Sequence, residues 1–370
     1  MQLDLTDEQR ELRDTARRFL EREAPIGYAR AMMDDARGHR DDVWQKMAEL
    51  GWMALPFEEQ YGGLGVGFVA LAILATEMGR VVLPGPFFST VVAAGGAIAA
   101  CGSEEQRKDL LPRICSGELI CTVALGHGRS GDGMPDCSVT DDGKITGEVT
   151  FVADAATAES MIVAAKSSSG PGLFLVAAKD PGTAISPLGV MDATRKYAAV
   201  RFEGGRAERV GEDGAEQIQH ILDRVSVGLA AEMLGLAERV LEVSVEYAKQ
   251  RVQFDRPIGS FQAVKHRAAD MLLQVESLRS AVYYAAWAVE RGHPDASLAA
   301  SMAKAYASDA YRDVAASGIQ IHGGIGFTWE ADLHLYFKRA KASEVAFGDA
   351  VWHRERVARI LRDRYAPASP

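Results

Sequence analysis

Two short segments in the last third of the sequence carry residues that could bind a phosphate-rich ligand. Arg251 and Phe254 stand in the first segment, and Gln320, Gly323 and Gly324 stand in the second. A guanidinium can donate a planar fork of hydrogen bonds to pyrophosphate oxygens, and paired glycines let the backbone approach a ligand closely. By itself, however, each segment is more typical of a surface arginine or of glycines that end a helix.

The elements that must position these side chains follow a helical, β, helical order. Capping boxes at Thr6 and Ser103 predict helix starts, and the apolar run 66–74 after a glycine-rich turn predicts another helix. A continuous apolar stripe at three- and four-residue steps predicts a long helix; its residues are Val264, Ala268, Met271, Leu272, Val275, Leu278 and Val282. The segment 221–250 is apolar on more than one face.

Between the helical regions, β-type runs alternate with turn residues. The predicted strands cover 120–123, 149–152, 161–163 and 173–176, with a hairpin turn at 141–144 and a loop at 167–172. The expectation is an α+β chain with a helical domain over 1–117, a small β domain over 118–213 and a helical bundle over 214–370.

Composition narrows the possible functions. The chain has 370 residues and a formal net charge of −10, which disfavours nucleic acid and anionic membranes as partners because phosphate neutralisation needs clustered Lys and Arg. No run approaches the roughly 18–20 apolar residues of a membrane span. Four cysteines without a CxxC pair favour a reduced, cytoplasmic protein with no metal site.

Several motifs, taken in order along the chain, resemble the acyl-CoA dehydrogenase family. They are LGWM at 50–53, YGGLG at 61–65, GSEEQR at 102–107, SGE at 116–118, RVQF at 251–254, PIGSFQ at 257–262 and QIHGGIGF at 320–327. The resemblance implies that family's fold: an N-terminal helical domain, a small middle β-barrel or sandwich and a C-terminal four-helix bundle. It also implies an FAD enzyme that removes hydrogens from the α and β carbons of an acyl-CoA thioester.

The resemblance further implies an FAD site shared between two subunits. Arg251, Phe254, Gln320, Gly323 and Gly324 match the residues that hold the ADP half of a partner's FAD. The β domain departs from the family pattern at the flavin ring. There Phe151 stands in place of tryptophan, Ala153 in place of the hydrogen-bonding threonine, and 122–132 replaces the usual Gly- and Ser-rich loop.

The family's catalytic glutamate is missing from both positions where members carry it. The usual position falls on Phe347, and the alternative position on the long bundle helix falls on Val225. Proton abstraction beside a thioester carbonyl needs a carboxylate in an apolar pocket. Candidate replacements are Asp349, Glu344 and Asp223, with Asp349 the first choice, although each is also typical of a solvated or capping carboxylate. His322 and His353 fit polar helix positions better than bases.

Three hypotheses follow. The favoured one is a base-less subunit in an α2β2 hetero-oligomer, where a homologous subunit supplies the glutamate and this chain completes the partner's FAD site. By resemblance, the substrate would be a bulky, steroid-type acyl-CoA, and the electron acceptor would be an electron-transfer flavoprotein. The alternatives are a self-sufficient homotetramer with an unusual base, and a non-redox binding protein on the same fold.

Overall fold

The N-terminal part of the chain is helical, as predicted. A computed structural model describes residues 5–126, 134–212 and 214–365. A π-helical segment, Phe88–Gly95, runs directly into α5 and was not anticipated from the sequence. The α-helices of this part are α1 Asp7–Glu23, α2 Ile26–Asp34, α3 Asp41–Glu49, α4 Phe68–Arg80, α5 Gly96–Cys101 and α6 Glu104–Cys115.

Both predicted capping boxes are present. The Thr6 hydroxyl accepts from the Gln9 amide at 3.3 Å, and the Gln9 side chain accepts from the Thr6 amide at 3.0 Å. Ser103 and Gln106 repeat this exchange at 3.2 and 3.0 Å. These bonds satisfy amide donors that the first turn of a helix leaves open, so α1 and α6 begin where the sequence predicts.

The middle region forms a closed β-barrel. Neighbouring strands follow the order β4-β2-β3-β7-β5, and β5 pairs back onto β4, while β1 adds to β4 and β6 adds to β7. The barrel core is apolar and includes Ile145, Met161, Val163, Phe174 and Val200. The strands are β1 Cys121–Ala124, β2 Asp136–Val139, β3 Lys144–Ala153, β4 Ser160–Ser167, β5 Gly170–Ala177, β6 Thr183–Leu188 and β7 Tyr197–Arg209.

The predicted hairpin turn joins β2 to β3, with Gly143 at a left-handed φ of 75°. The loop expected over 167–172 is a tighter connection, because β4 extends to Ser167 and β5 begins at Gly170. Antiparallel pairing of Ser167 with Gly170 closes that connection. The sequence therefore overestimated the length of this loop.

The C-terminal part is helical again. A short hairpin, β8 Val252–Gln253 with β9 Arg256–Pro257, separates its first two helices. The predicted stripe on α8 is largely buried, but Leu272 is an exception, since half of it is exposed and Leu273 beside it is more exposed still. The helices are α7 Ala215–Gln250, α8 Gln262–Glu290, α9 Ala296–His322, α10 Leu333–Val345 and α11 Ala350–Tyr365.

Contacts group the chain into two compact units. One unit comprises 1–26, 72–83 and 229–370, and the other comprises 27–71 and 84–228. The two domain boundaries inferred from the sequence remain a prediction. In the described ranges, every helix is too short or too polar to cross a membrane.

Candidate functional site

The ends of α7 and α9 lie side by side in the first of these units. Tyr247, near the end of α7, stacks on His322, the last residue of α9, with ring centroids 4.2 Å apart and an interplanar angle of 21°. Arg251 follows Tyr247 by one helical turn, and Gly323 follows His322 directly. The fold therefore brings the two sequence motifs to one end of the same helical unit.

The Arg251 side chain is exposed and uncommitted. No carboxylate of the described residues lies within ion-pair distance of it, although the chain has many arginine–carboxylate pairs elsewhere. Within the described residues, Arg251 forms hydrogen bonds through its backbone. Its amide donates to the Tyr247 carbonyl and its carbonyl accepts from the Ile258 amide, both at 2.8 Å. Its guanidinium donors are thus available to an anionic ligand.

Gln320, Gly323 and Gly324 are also exposed. Gly323 ends α9 with φ 65° and ψ −145°, a conformation open essentially to glycine, and its amide donates to the carbonyls of Ile319 and Gln320. A Cβ added at either glycine would meet no atom within 4 Å. The helix-cap role is therefore real, and the same glycines also leave bare backbone at the surface.

Phe254 stands at the tip of the β8–β9 hairpin, where 86% of it is exposed. Phe254 and Asp255 both adopt left-handed conformations, with φ of 53° and 60°. Two such residues between paired strands form the turn that normally selects Asn-Gly, so an aromatic residue there is strained. The hairpin holds an apolar ring in water at a conformational cost, which is typical of a residue that binds something.

A cavity of about 410 Å³ lies beside His322, between helices α1, α4, α7 and α10. Its wall includes Arg17, Glu77, Arg80 and Tyr336. The His322 ring bonds to the Gly318 carbonyl at 2.9 Å, and burial lowers the pKa of this histidine. His322 thus contacts α7 through its ring stacking on Tyr247, whereas its bond to the Gly318 carbonyl lies within α9.

In the β region, Phe151 lies in a bulge of β3, and Ala153, also expected near the flavin ring, ends that strand just beyond the bulge. Pairing with β7 shifts register between Val149 and Val152, and Phe151 adopts a left-handed φ of 56° with half of its surface exposed. Bulges commonly redirect side chains beside active sites. The Ala153 carbonyl accepts from the Thr122 hydroxyl at 2.6 Å, but Ala153 has no side-chain donor. Residues 127–132 of the altered loop lie outside the described residues.

The usual base position lies in the turn between α10 and α11. Phe347 and Gly348 are left-handed there, with φ of 55° and 99°. Two buried groups that sequence reasoning did not single out for this turn bond to its backbone. His353 Nε2 lies 3.1 Å from the Phe347 carbonyl, and Lys304 Nζ donates to the Gly348 carbonyl at 3.0 Å. Lys304 could have been noticed as a lysine inside an alanine-rich helical run.

Asp349, the first-choice replacement base, caps α11. Its Oδ1 accepts from the Trp352 amide at 2.8 Å, which is the N-cap bond to the third residue of the helix. Glu344 pairs with Arg312 at 3.1 Å and with Lys341 at 2.5 Å. In these contacts, both carboxylates have structural partners.

The alternative base position, Val225, is fully buried on α7 and carries no ionisable group. Asp223, two residues earlier, is also buried. The neighbouring Arg224 guanidinium lies 4.6 Å from the Phe68 ring centroid, and burial lowers its pKa to about 10. The two positions at which the resemblance predicts a base therefore hold Phe347 and Val225.

Comparison with known proteins gives one consistent family. The model of the acyl-CoA dehydrogenase N-terminal domain matches residues 6–118, and that of the C-terminal domain matches residues 212–361. The acyl-CoA dehydrogenase IpdE2 of Mycobacterium tuberculosis is 35% identical over 338 residues, covering 91% of this chain and 92% of that protein. FadE27 of the same organism, also an acyl-CoA dehydrogenase, is 34% identical over 334 residues, covering 87% of this chain and 88% of its own.

Solved structures agree with this result. A Tcur3481-Tcur3483 steroid ACAD variant superimposes with a TM-score of 0.92 at 32% identity, covering 98% of this chain and 99% of that one. The ChsE4-ChsE5 complex from Mycobacterium tuberculosis gives 0.90 at 31% identity, with both chains covered completely. This chain therefore belongs to the acyl-CoA dehydrogenase family of flavoprotein oxidoreductases.

Proposed function

We propose that this chain is the base-less subunit of a hetero-oligomeric acyl-CoA dehydrogenase, in which it completes the FAD site of a homologous, glutamate-bearing partner. One observation carries the proposal. The donors of Arg251 are exposed and unspent, whereas the base positions hold Phe347 and Val225 and the nearby Asp349 serves as a helix cap. A chain that turned over substrate alone would need a carboxylate of its own.

The exposed residues fit the ADP half of FAD. Arg251 would bind the pyrophosphate oxygens, Phe254 would cover an apolar part of the cofactor, and the backbone at Gly323 and Gly324 would approach it without a Cβ in the way. Gln320 would add an amide to the same surface. When bound, FAD accepts the hydride that leaves the β carbon of the acyl-CoA. This chain's residues would hold the cofactor, and the partner's glutamate would take the α proton.

We propose an α2β2 assembly and a bulky, steroid-type acyl-CoA as substrate. Support comes from two similar solved structures, one described as a steroid ACAD and one as a two-protein complex. An electron-transfer flavoprotein would be the electron acceptor, as the family resemblance implies. The domain boundaries at 117/118 and 213/214 and a cytoplasmic location belong to the same proposal.

Expression of the chain alone and together with a glutamate-bearing homologue from the same genome tests this function. The chain alone should bind little flavin and desaturate no acyl-CoA, while the joint assembly should be yellow and active. Replacing the partner's catalytic glutamate by glutamine should abolish turnover. Turnover by the isolated chain, lost in Asp349→Asn, would instead establish a self-sufficient enzyme. A flavin-free joint assembly would indicate a non-redox binding protein.

A further inference from the structure

Lys304 places an amino group in the interior of the helical unit. Its side chain is fully buried on α9, within a run of small residues that includes Ala303 and Ala307. Nζ donates to the Ser308 hydroxyl at 2.9 Å, to the Glu344 carbonyl at 3.2 Å and to the Gly348 carbonyl at 3.0 Å. An ammonium has three donors, so all three are satisfied. Two of the three acceptors are backbone carbonyls, one in the last turn of α10 and one in the α10–α11 turn.

The turn between those carbonyls is conformationally demanding. Phe347 is a bulky residue in the left-handed region, where side chains other than glycine are disfavoured. A Cβ added at Gly348 would come within 2.5 Å of the Trp352 ring, so that residue must remain glycine. The fully buried His353 bonds through its ring to the Phe347 carbonyl. The turn is therefore held through its own carbonyls at Phe347 and Gly348 and through that of Glu344 in the last turn of α10.

The charges around Lys304 do not by themselves account for its presence, because the Asp349 and Glu344 carboxylates favour its ammonium form less than burial disfavours it. The Glu344 carboxylate pairs with Arg312 and Lys341, the Asp349 carboxylate caps α11, and no carboxylate in the described ranges pairs directly with Lys304. His353 and Arg356, which also face this cluster, add no negative charge. Burial lowers the pKa of Lys304 to about 7. An apolar side chain would avoid this desolvation cost, so the amino group is best explained by the carbonyls it binds.

We propose that Lys304 is a positioning residue, which ties the α10–α11 turn to α9 and holds position 347 in a base-presenting backbone conformation. The inference depends on the proposed function for one point, namely that position 347 is where the family carries its base. In this chain the side chain there is phenylalanine. The backbone that presents it is still held by dedicated buried donors.

Hydrogen–deuterium exchange of the isolated chain tests the role of Lys304. Lys304→Met removes the bonds to both carbonyls at little change in volume. Lys341→Met is the matched control, because it removes a partly exposed lysine whose one bond within the described residues is to the Glu344 side chain. In Lys304→Met, exchange over 342–353 should accelerate at least about tenfold more than exchange over 305–318 of α9. Lys341→Met should leave this ratio unchanged.

An equal loss of protection in both segments would mean that Lys304 is merely part of the packed interior, and an unchanged turn would also overturn the proposal. If Lys304→Met does not fold, the double variant Lys304→Met/Phe347→Gly decides. Glycine at position 347 removes the backbone strain that the Lys304 hydrogen bonds hold in place, so the double variant should recover soluble, folded protein. Failure to recover would contradict the proposed role.

These outcomes are independent of the proposed function, because the measurement needs no FAD, partner or turnover. A local effect on the turn, combined with activity of the isolated chain, would keep the role of Lys304 and reject the base-less subunit. An unchanged turn in Lys304→Met, combined with an inactive isolated chain, would reject the positioning role and keep the proposed function.

Discussion

The surface at the ends of α7 and α9 and the turn between α10 and α11 use their polar groups in opposite ways. The surface presents its chemistry to solvent: Arg251 is exposed with no acid partner in the described chain, and Phe254 is 86% exposed. The turn has the reverse character, because its backbone is held by the buried groups of Lys304 and His353 while position 347 offers no proton acceptor.

This difference shows which property each region needs. A cofactor that arrives from a partner requires unspent donors at the surface, where water solvates them at little cost. A catalytic base requires a defined backbone conformation first and a carboxylate second. The turn keeps the first requirement and lacks the second, as expected of a chain whose partner performs the proton transfer.

The largest expected effect concerns the buried amine of the turn. The folded-state pKa of Lys304 is lowered to about 7, so between that pH and the ordinary lysine pKa the unfolded chain binds more protons. Stability of the wild type relative to Lys304→Met should therefore rise with pH, by on the order of 3 kcal/mol between pH 7 and about pH 9.5. Below pH 7 the difference should be flat. Urea unfolding at several pH values measures it.

Titrating tyrosines and cysteines are shared by both proteins, so they largely cancel in this difference. Lys341→Met serves as the control and should give a curve parallel to that of the wild type, since Lys341 is partly exposed. Parallel curves for Lys304→Met as well would show that the amino group is not desolvated, and the turn would lose its distinguishing feature in the comparison.

The second effect concerns the surface. Arg251→Gln should weaken FAD binding by the joint assembly by roughly 10- to 100-fold, which is the loss of a charge-assisted hydrogen bond worth about 1.5–3 kcal/mol. The FAD affinity of Arg251→Lys should fall between those of the wild type and Arg251→Gln, because an ammonium keeps the charge without the planar fork. Flavin released on dilution, measured by fluorescence, reports the affinity. Arg267→Gln, an exposed arginine of α8, is the control and should bind FAD normally.

Much of the fold could be predicted because it depends on local signals. The capping boxes at Thr6 and Ser103 and the turn at Gly143 are determined by neighbours a few residues away, and they are present as predicted. The motif order also identified the family. The surface residues Arg251 and Gly323 were found by this route, although their roles toward FAD remain predictions.

What the sequence could not reveal depends on distant contacts. The partners of Lys304 lie 40 and 44 residues further along the chain, and no periodicity indicates such bonds. The left-handed conformation of Phe347 opposes its residue type, so propensity predicts the wrong backbone there. Leu272 was assigned to the apolar stripe because helical spacing cannot tell a core face from an exposed one at the edge of that stripe.

A third prediction separates a helix cap from a base at Asp349. Asp349→Ala should destabilise the chain by about 1 kcal/mol, because the Trp352 amide loses its side-chain acceptor. Asp349→Asn should lower the free energy of unfolding by only about a few tenths of a kcal/mol, since asparagine caps a helix as well as aspartate does. Neither change should alter turnover by the joint assembly, measured with an acyl-CoA and an artificial acceptor. If asparagine preserved stability but abolished turnover, the turn would contain a base after all.

The smallest effects come from the strained hairpin, and they set stability against binding within the surface itself. Phe254→Gly should stabilise the isolated chain by up to about 1 kcal/mol, because glycine adopts the left-handed conformation without steric cost. Asp255→Gly should give about half of that, since aspartate tolerates this conformation better than phenylalanine.

The two variants relieve the same turn, but only Phe254→Gly removes the exposed ring. It should therefore weaken FAD retention in the joint assembly while Asp255→Gly leaves retention unchanged. Equal retention by both variants would mean that the ring has no role in cofactor binding, and the strain at the hairpin tip would need another explanation.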